Sequence, residues 1–381
     1  MKEKMFEQGP IRPPSEAGSL LFRFTRNCPW NRCTFCPTYK GKRFSRRSLE
    51  EIKSDIDTAA EIYAEILAFS PSLGQGGSLT REILEKVFAS GHFNDFHRQI
   101  ALWLYMGKGS VFIQDANSFV LPAPVLVEAI GYLKQKIPGI RRITSYARSS
   151  TISKMSVDEL KEIRQAGLDR IHIGMESGSD RVLEFVQKGV SARRQIEAGR
   201  KVIEAGMELS EYFMPGLGGR ELSEDHARQS ARVLNEINPH FIRLRSLRIP
   251  PSIPLFQDKE SGRFTPLSDD ETVVEIRLFI SSLEVSSQLT SDHIMNLLEE
   301  VCGKLPEDKS SMLAVIDKYL ALPAGDKLLF RLGRRAGTLR SVDELSNPVL
   351  RAKLEAALRE LRAMGRGDAE EIITELADQY I

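Results

Sequence analysis

Cysteine is scarce in this chain: four residues in 381, beside only two tryptophans. So small a supply, with Cys302 far from the other three, excludes a disulfide-built scaffold and fits a reducing, cytoplasmic setting. Long hydrophobic runs are also missing. No stretch of eighteen apolar residues occurs, so no membrane span is expected. The opening MKEKMFEQGPIRPPSEAG is polar and proline-bearing, without the apolar segment of a secretory leader. Nor is there an excess of charge of either sign: 53 Lys and Arg face 52 Asp and Glu, a net +1. Nucleic-acid binders carry a basic excess or stripe, so this balance argues against RNA or DNA without excluding them. What remains, 41% apolar and 28% charged residues, suits a globular protein with a sizeable core.

Between residues 19 and 247 short β-type runs alternate with helical patterns. SLLFRFT (19–25), SVFIQDA (110–116), RRITSYAR (141–148), DRIHIGMES (169–177), MELSEYFMPG (207–216) and HFIRLRSL (240–247) read as strands. Helices are expected between them, at 48–68, 123–137, 156–167, from 178 towards Ala205, and at 223–237. The third opens on Ser156 with Glu159 three residues on, the signature of a capping box. Six β-α units in succession predict an α/β fold, a parallel sheet in a full (β/α)8 barrel or a six-stranded partial one. Chemistry in such folds gathers just after the strands. The unusual polar residues of this chain fall there: the cysteines, Asp115 and Asn117, Ser145 and Arg148, Glu176, and the turn PGLGG at 215–219.

Two regions break the pattern. Residues 69–109 form an insertion whose GQGGS follows a helix and lacks a GK[ST] ending, so it reads as a linker rather than a phosphate loop. From IPPSIP onward, residues 250–381 turn mostly helical, with Leu350, Leu354, Leu358 and Leu361 at helical spacing. The expected organisation is an N-terminal extension (1–17), a core (18–249) and a helical C-terminal substrate or cap region.

Cys28, Cys33 and Cys36 stand in a C-x4-C-x2-C loop, NCPWNRCTFCPTYKG (27–41). Clustered thiolates are soft ligands suited to zinc or to an iron–sulfur cluster. Structural zinc takes four protein ligands, and residues 37–50 offer neither Cys nor His; Cys302 or a distant histidine would have to serve. Three ligands on a four-iron cluster leave one iron open, which points to catalysis.

The loop resembles the cluster loop of the radical S-adenosylmethionine (SAM) superfamily, with one extra residue between the first two cysteines and Phe35 before the third. GMESGSDRVLEFVQKG (174–189) is similar to the fourth-strand signature of the branch that includes anaerobic coproporphyrinogen dehydrogenases, Elp3-like enzymes and methylthiotransferases. EYFMPGLGG (211–219) resembles its fifth-strand turn, and PHFIRLRSLRIPPSIPLF (239–256) its sixth strand with the proline-bearing segment after it. The resemblance spans roughly residues 18–260. It implies a partial (β/α)6 TIM-like barrel and a [4Fe-4S] cluster on Cys28, Cys33 and Cys36, with SAM on the open iron. Reductive cleavage of SAM then gives a 5′-deoxyadenosyl radical that abstracts hydrogen from a substrate. By position it also implies SAM contacts from Phe35, Asp115, Asn117 or Ser118, Ser145, Arg148, Glu176, Lys188 and Gly216. A reducing protein such as ferredoxin or flavodoxin would supply the electron.

Each of those residues also has a plainer role open to it. Asp115 and Asn117 can cap a turn, Glu176 can pair with Arg148, and Lys188 can be a solvated helix-end cation. His293 is a candidate proton donor or substrate ligand, while Cys302 reads as a small buried apolar residue. The basic run RLGRRAGTLR (331–340) reads as a solvated face before an anion site. With no second cysteine cluster, a single-cluster enzyme acting on a small-molecule or lipid-like substrate is the expectation. The rival readings are a non-catalytic iron–sulfur or haem carrier and an RNA-modifying enzyme.

Overall fold

Strand-forming runs and amphipathic helices alternate as the sequence predicts, in a computed structural model that describes residues 4–72, 79–293, 295–363, 372, 373 and 376. The GQGGS segment, residues 74–78, lies outside the described residues. The chain divides into two compact units: Met1–Asn31, Thr38–Ile173 and Glu197–Leu209 form the first, and Arg32–Pro37, Gly174–Ile196 and Ser210–Ile381 the second.

In the first unit β1 (Leu20–Arg23) is followed by the two-residue strands β2 (Thr25–Arg26) and β3 (Ser45–Arg46), which pair antiparallel. Then come β4 (Ser110–Gln114), β5 (Arg142–Ala147) and β6 (Leu168–Glu176), whose first six residues belong to this unit. The ladders β1–β4, β4–β5 and β5–β6 are all parallel, with Phe22 opposite Ile113 and Ile113 opposite Ser145. Parallel register brings the carboxyl ends of these strands to one edge. The helix Leu49–Ser72 returns the chain from that edge; its Ile52, Ile56, Ala59, Ile62 and Ile66 form one buried stripe at helical spacing. The expected capping box is present: the Ser156 hydroxyl accepts the Glu159 amide at 3.1 Å, and the Glu159 carboxylate accepts the Ser156 amide at 2.8 Å. The 69–109 insertion carries two capped helices, Arg81–Ala89 behind Thr80 and Asp95–Met106 behind Asn94.

The second unit contains β7 (Glu208–Phe213, from Ser210 onward), β8 (Phe241–Leu244), β9 (Gln288–Thr290) and β10 (Gly303–Lys304). β7–β8 and β8–β9 are parallel and β9–β10 antiparallel. The helix Gly219–Ile237 joins β7 to β8. The six strands read from the sequence therefore all form, as β1, β4, β5, β6, β7 and β8, in an α/β fold with a mostly parallel sheet. β9 is an additional parallel strand that the sequence reading missed. Beyond residue 250 the regular elements of the described chain other than β9 and β10 are helices, including Asp269–Ser281, Lys309–Leu320, Ala324–Arg335 and Pro348–Ala363. Among the described residues no helix is long and apolar enough to cross a membrane.

Candidate active site

The cysteine loop begins where β2 ends. Asn27 and Asn31 both take left-handed backbone conformations (φ 68° and 46°), which asparagine tolerates better than most residues, and so turn the chain back on itself around Cys28. The Asn31 amide N–H donates to Cys28 Sγ at 3.4 Å, and the Asn31 side chain donates to the Tyr39 carbonyl at 2.6 Å. Beneath this turn lies Asp115, itself at φ 71° after β4 and wholly buried. One of its oxygens accepts the Tyr39 hydroxyl at 2.9 Å; the other accepts Arg23 Nε at 2.6 Å and the Asn27 amide at 2.7 Å. Burial, and next the Asp115 charge, push the Tyr39 phenol far up, so it stays a donor. Asp115 thus anchors the loop that carries Cys28.

The neighbouring strand ends are equally well satisfied. The buried Asn117 amide donates to the Thr151 hydroxyl at 2.7 Å, and the Ser118 and Ser145 hydroxyls donate to the carbonyls of Gln114 and Ile113. The Arg148 guanidinium lies over the Trp30 ring at 5.2 Å, a cation–π contact inside the cysteine-loop segment.

In the second unit Cys33 and Cys36 pack against an apolar cluster that includes Phe35, Val182, Val186, Met214, Leu217 and Leu255. Both backbone groups of Thr34 are held: its N–H donates to the Val186 carbonyl at 3.0 Å, and its carbonyl accepts the Leu255 N–H at 3.1 Å. Lys188 lies 5.6 Å from the centre of the Phe35 ring and 3.2 Å from Glu176 Oε1, so it is a largely buried, paired cation and not a solvated one. Glu176 sits at φ 63° at the end of β6, and its Oε2 has no partner among the described residues. Its carboxylate folds back over Gly174, where an added Cβ would meet Oε1 at 2.2 Å.

Sequence reasoning missed three buried residues here. Glu211, in β7, is completely buried; burial, and then the charge of Glu176, raise its carboxyl well above the usual range, while Lys188 opposes them. An acid set between Leu209 and the pair Tyr212 and Phe213 in β7 was the available signal. His226 is buried too. Its Nε2 lies 2.9 Å from the Met214 carbonyl and its Nδ1 2.9 Å from the Ser177 hydroxyl, tying the end of β7 to the turn after β6. The buried Glu275 accepts the Gly216 amide at 2.7 Å, and burial raises its carboxyl. Nothing in the sequence linked residues 216 and 275.

Two expectations outside the core need revision. Cys302 is exposed, not buried, because it stands in the turn before β10 where its N–H bonds the Glu300 carbonyl at 2.8 Å. Arg335 is buried and Arg331 half-buried, so 331–340 is not simply a solvated face; helix packing from Ala324 turns these two inward. His293 is held neutral: burial, then the charges of Arg245 and Arg335, lower its pKa to about 4. At neutral pH it offers a hydrogen bond rather than an acidic proton.

No disulfide engages any of the four cysteines. Among the described residues no three Cys, His, Asp or Glu side chains gather around a point that could hold a single ion. An iron–sulfur cluster takes its thiolates on separate irons rather than about one centre. A soft donor set, two of whose members rest on an apolar wall, fits the cluster.

The model of the radical SAM superfamily matches residues 22–230 of this chain. The protein is a member of that superfamily, and hence an enzyme whose cofactors are a [4Fe-4S] cluster and SAM. The carrier reading falls with that assignment. Among curated proteins the chain is similar to the tRNA uridine(34) acetyltransferase of Methanocaldococcus jannaschii, 20% identical over 116 residues, or 30% of this chain and 21% of that one. It is also similar to the 4′-phospho-dehydrooxetanocin synthase of Priestia megaterium, 27% identical over 205 residues, or 52% of this chain and 23% of that one. The chain thus spans under a quarter of the length of these relatives. Among solved structures, coproporphyrinogen III oxidase of Escherichia coli aligns at a TM-score of 0.45 with 13% identity, over 69% of this chain and 51% of that one.

Proposed function

We propose that this enzyme cleaves SAM reductively and abstracts hydrogen from a small-molecule or lipid-like substrate, with Cys28, Cys33 and Cys36 as the cluster ligands. The observation that carries this reading is the bracing of the cysteine loop: Asp115 takes up the Cys28 turn with three hydrogen bonds, and both backbone groups of Thr34 fix the stretch from Cys33 to Cys36. Cluster and SAM, when bound, supply the electron transfer and the bond cleavage; the chain supplies position, charge and exclusion of water.

In this reading Asp115 acts as a positioning residue, because both its oxygens are already engaged. Arg148, with a fork matched to a carboxylate, serves the methionine end of SAM. Glu176, with an oxygen unpartnered, and Lys188 beside it serve SAM's polar groups, and Gly216 lets backbone approach the nucleoside. Phe35 walls the cluster, while Asn117, Ser118 and Ser145 shape the strand ends. Residues 18–249 act as the core and 250–381 as the substrate region, and a ferredoxin- or flavodoxin-type protein as electron donor.

Anaerobic reconstitution tests this directly. With dithionite and SAM, the wild type should form 5′-deoxyadenosine and Cys33→Ala should form none. A wild type that binds iron yet yields no nucleoside above the Cys33→Ala background would refute it.

A further inference from the structure

The turn that follows β7 is clasped by one side chain from far along the sequence. Glu275, on the helix Asp269–Ser281, is buried to 2% exposure. Its Oε1 accepts the Gly216 N–H at 2.7 Å, and its Oε2 accepts the Ser223 hydroxyl at 2.5 Å. Gly216 follows the end of β7, and Ser223 lies in the second turn of the helix Gly219–Ile237. A single carboxylate therefore closes the whole connection from strand to helix. Beside it, His226 Nε2 reaches the Met214 carbonyl at 2.9 Å and stands 3.8 Å from Glu275 Oε1.

Keeping an acid so deeply buried is expensive, and an apolar residue of the same size would pack there at less cost. What the acid secures is Gly216. That residue has φ 85°, a backbone conformation that glycine adopts freely and other residues rarely do. Crowding is not the reason for glycine, since an added Cβ would meet nothing nearer than Leu247 Cβ at 3.8 Å. Gly216 instead lines a cavity of about 650 Å³, together with Pro215 and with Thr272, Val273 and Ile276 from the helix that carries Glu275. Both polar groups of its backbone are already engaged, the N–H by Glu275 and the carbonyl by the Gly219 N–H at 3.0 Å. The turn thus offers a ligand its shape rather than hydrogen bonds, and that shape depends on the clasp.

We infer that Glu275 is a positioning residue for SAM: by holding the Gly216 amide with one oxygen and Ser223 with the other, it fixes the turn against which the SAM nucleoside lies. The inference rests on the proposed placing of the nucleoside at Gly216 and extends it to a residue outside the 18–249 core.

Equilibrium dialysis of SAM against the reconstituted, unreduced enzyme tests it without turnover, alongside hydrogen exchange of the segment 213–219. Glu275→Met keeps the bulk and removes the acceptor, whereas Glu275→Gln keeps an acceptor for the Gly216 N–H. With melting temperature and iron content near wild type, Glu275→Met should weaken SAM about tenfold and speed exchange in the segment. Glu275→Gln should recover most of both effects. Ser223→Ala, which opens only the other arm, should weaken SAM about two- to fivefold. Wild-type affinity in a folded Glu275→Met would overturn the inference: with faster exchange the fault lies in placing the nucleoside at Gly216, and with unchanged exchange it lies in the clasp. A Gln variant as weak as the Met variant would also overturn it, because the acceptor would not be what Glu275 supplies. Should Glu275→Met fail to fold, unchanged affinity in Ser223→Ala overturns it instead. Dialysis needs no cleavage, so a wild type that binds SAM but forms no 5′-deoxyadenosine refutes the proposed reaction without touching this comparison.

Discussion

Glu211 is buried, and its carboxyl feels the like charge of Glu176 and, against it, the cation of Lys188. Its folded pKa is raised, so the folded state binds the proton more tightly than the unfolded one. Stability is therefore fullest below the ordinary carboxylate range and is lost as pH climbs towards the raised value. Replacing Glu211 by Gln removes that loss. Melting of Glu211→Gln should match wild type near pH 4 and exceed it at pH 8, by about 2–4 °C for each kcal/mol relieved. An equal difference at both pH values would mean that the raised carboxyl is not the cause. This residue also marks a limit of reading by motif. Asp115 and Glu176 were legible because they follow strands. Whether a carboxylate there meets a ligand or holds a loop depends on partners such as Arg23 and Tyr39, which lie 92 and 76 residues from Asp115.

At the scale of elements, the helix Gly219–Ile237 is the part that fixes the turn after β6. Gly178 donates its N–H to the Ser230 hydroxyl at 2.8 Å, and a Cβ there would lie 2.4 Å from the Gln229 carbonyl. Backbone meets backbone, so no side-chain rotation relieves the clash. Gly178→Ala should cost about 1–3 kcal/mol, seen as a lower midpoint in urea. It should also displace the His226–Ser177 bond, and with it the seat of Glu176. An unchanged midpoint would show that the helix has slack at this crossing. Periodicity made most elements readable: the Ile52–Ile66 stripe and the Ser156–Glu159 box declare their helices without help from the fold. β9 did not declare itself, because three residues, Gln288–Thr290, give no alternation to detect and owe their extension to pairing with β8. The sequence marks residues 69–109 only as an insertion, and the helices behind Thr80 and Asn94 emerge with the fold.

For the molecule as a whole, charge balance is the property that bears on partners. A net charge of +1 gives little long-range attraction for polyanions. RNA modification, the rival reading of the sequence, is the one to test against that balance. Unfractionated tRNA titrated between 50 and 200 mM salt should show weak binding whose log affinity falls with a slope shallower than about −3, against the steep slopes of proteins that neutralise many phosphates. A steep slope with tight binding would move the substrate class to RNA.

The two bonds that grip Thr34 have a practical consequence for anyone moving this loop into another scaffold. Between Cys28 and Cys33 the chain turns through Asn31 in a left-handed conformation. Between Cys33 and Cys36 the chain is fixed by distant segments, because Val186 and Leu255 hold the intervening backbone from two sides. The portable unit is therefore not a linear peptide but three strangers in sequence, residues 33–36, 186 and 255, and a graft that carries only the first would arrive without its mould.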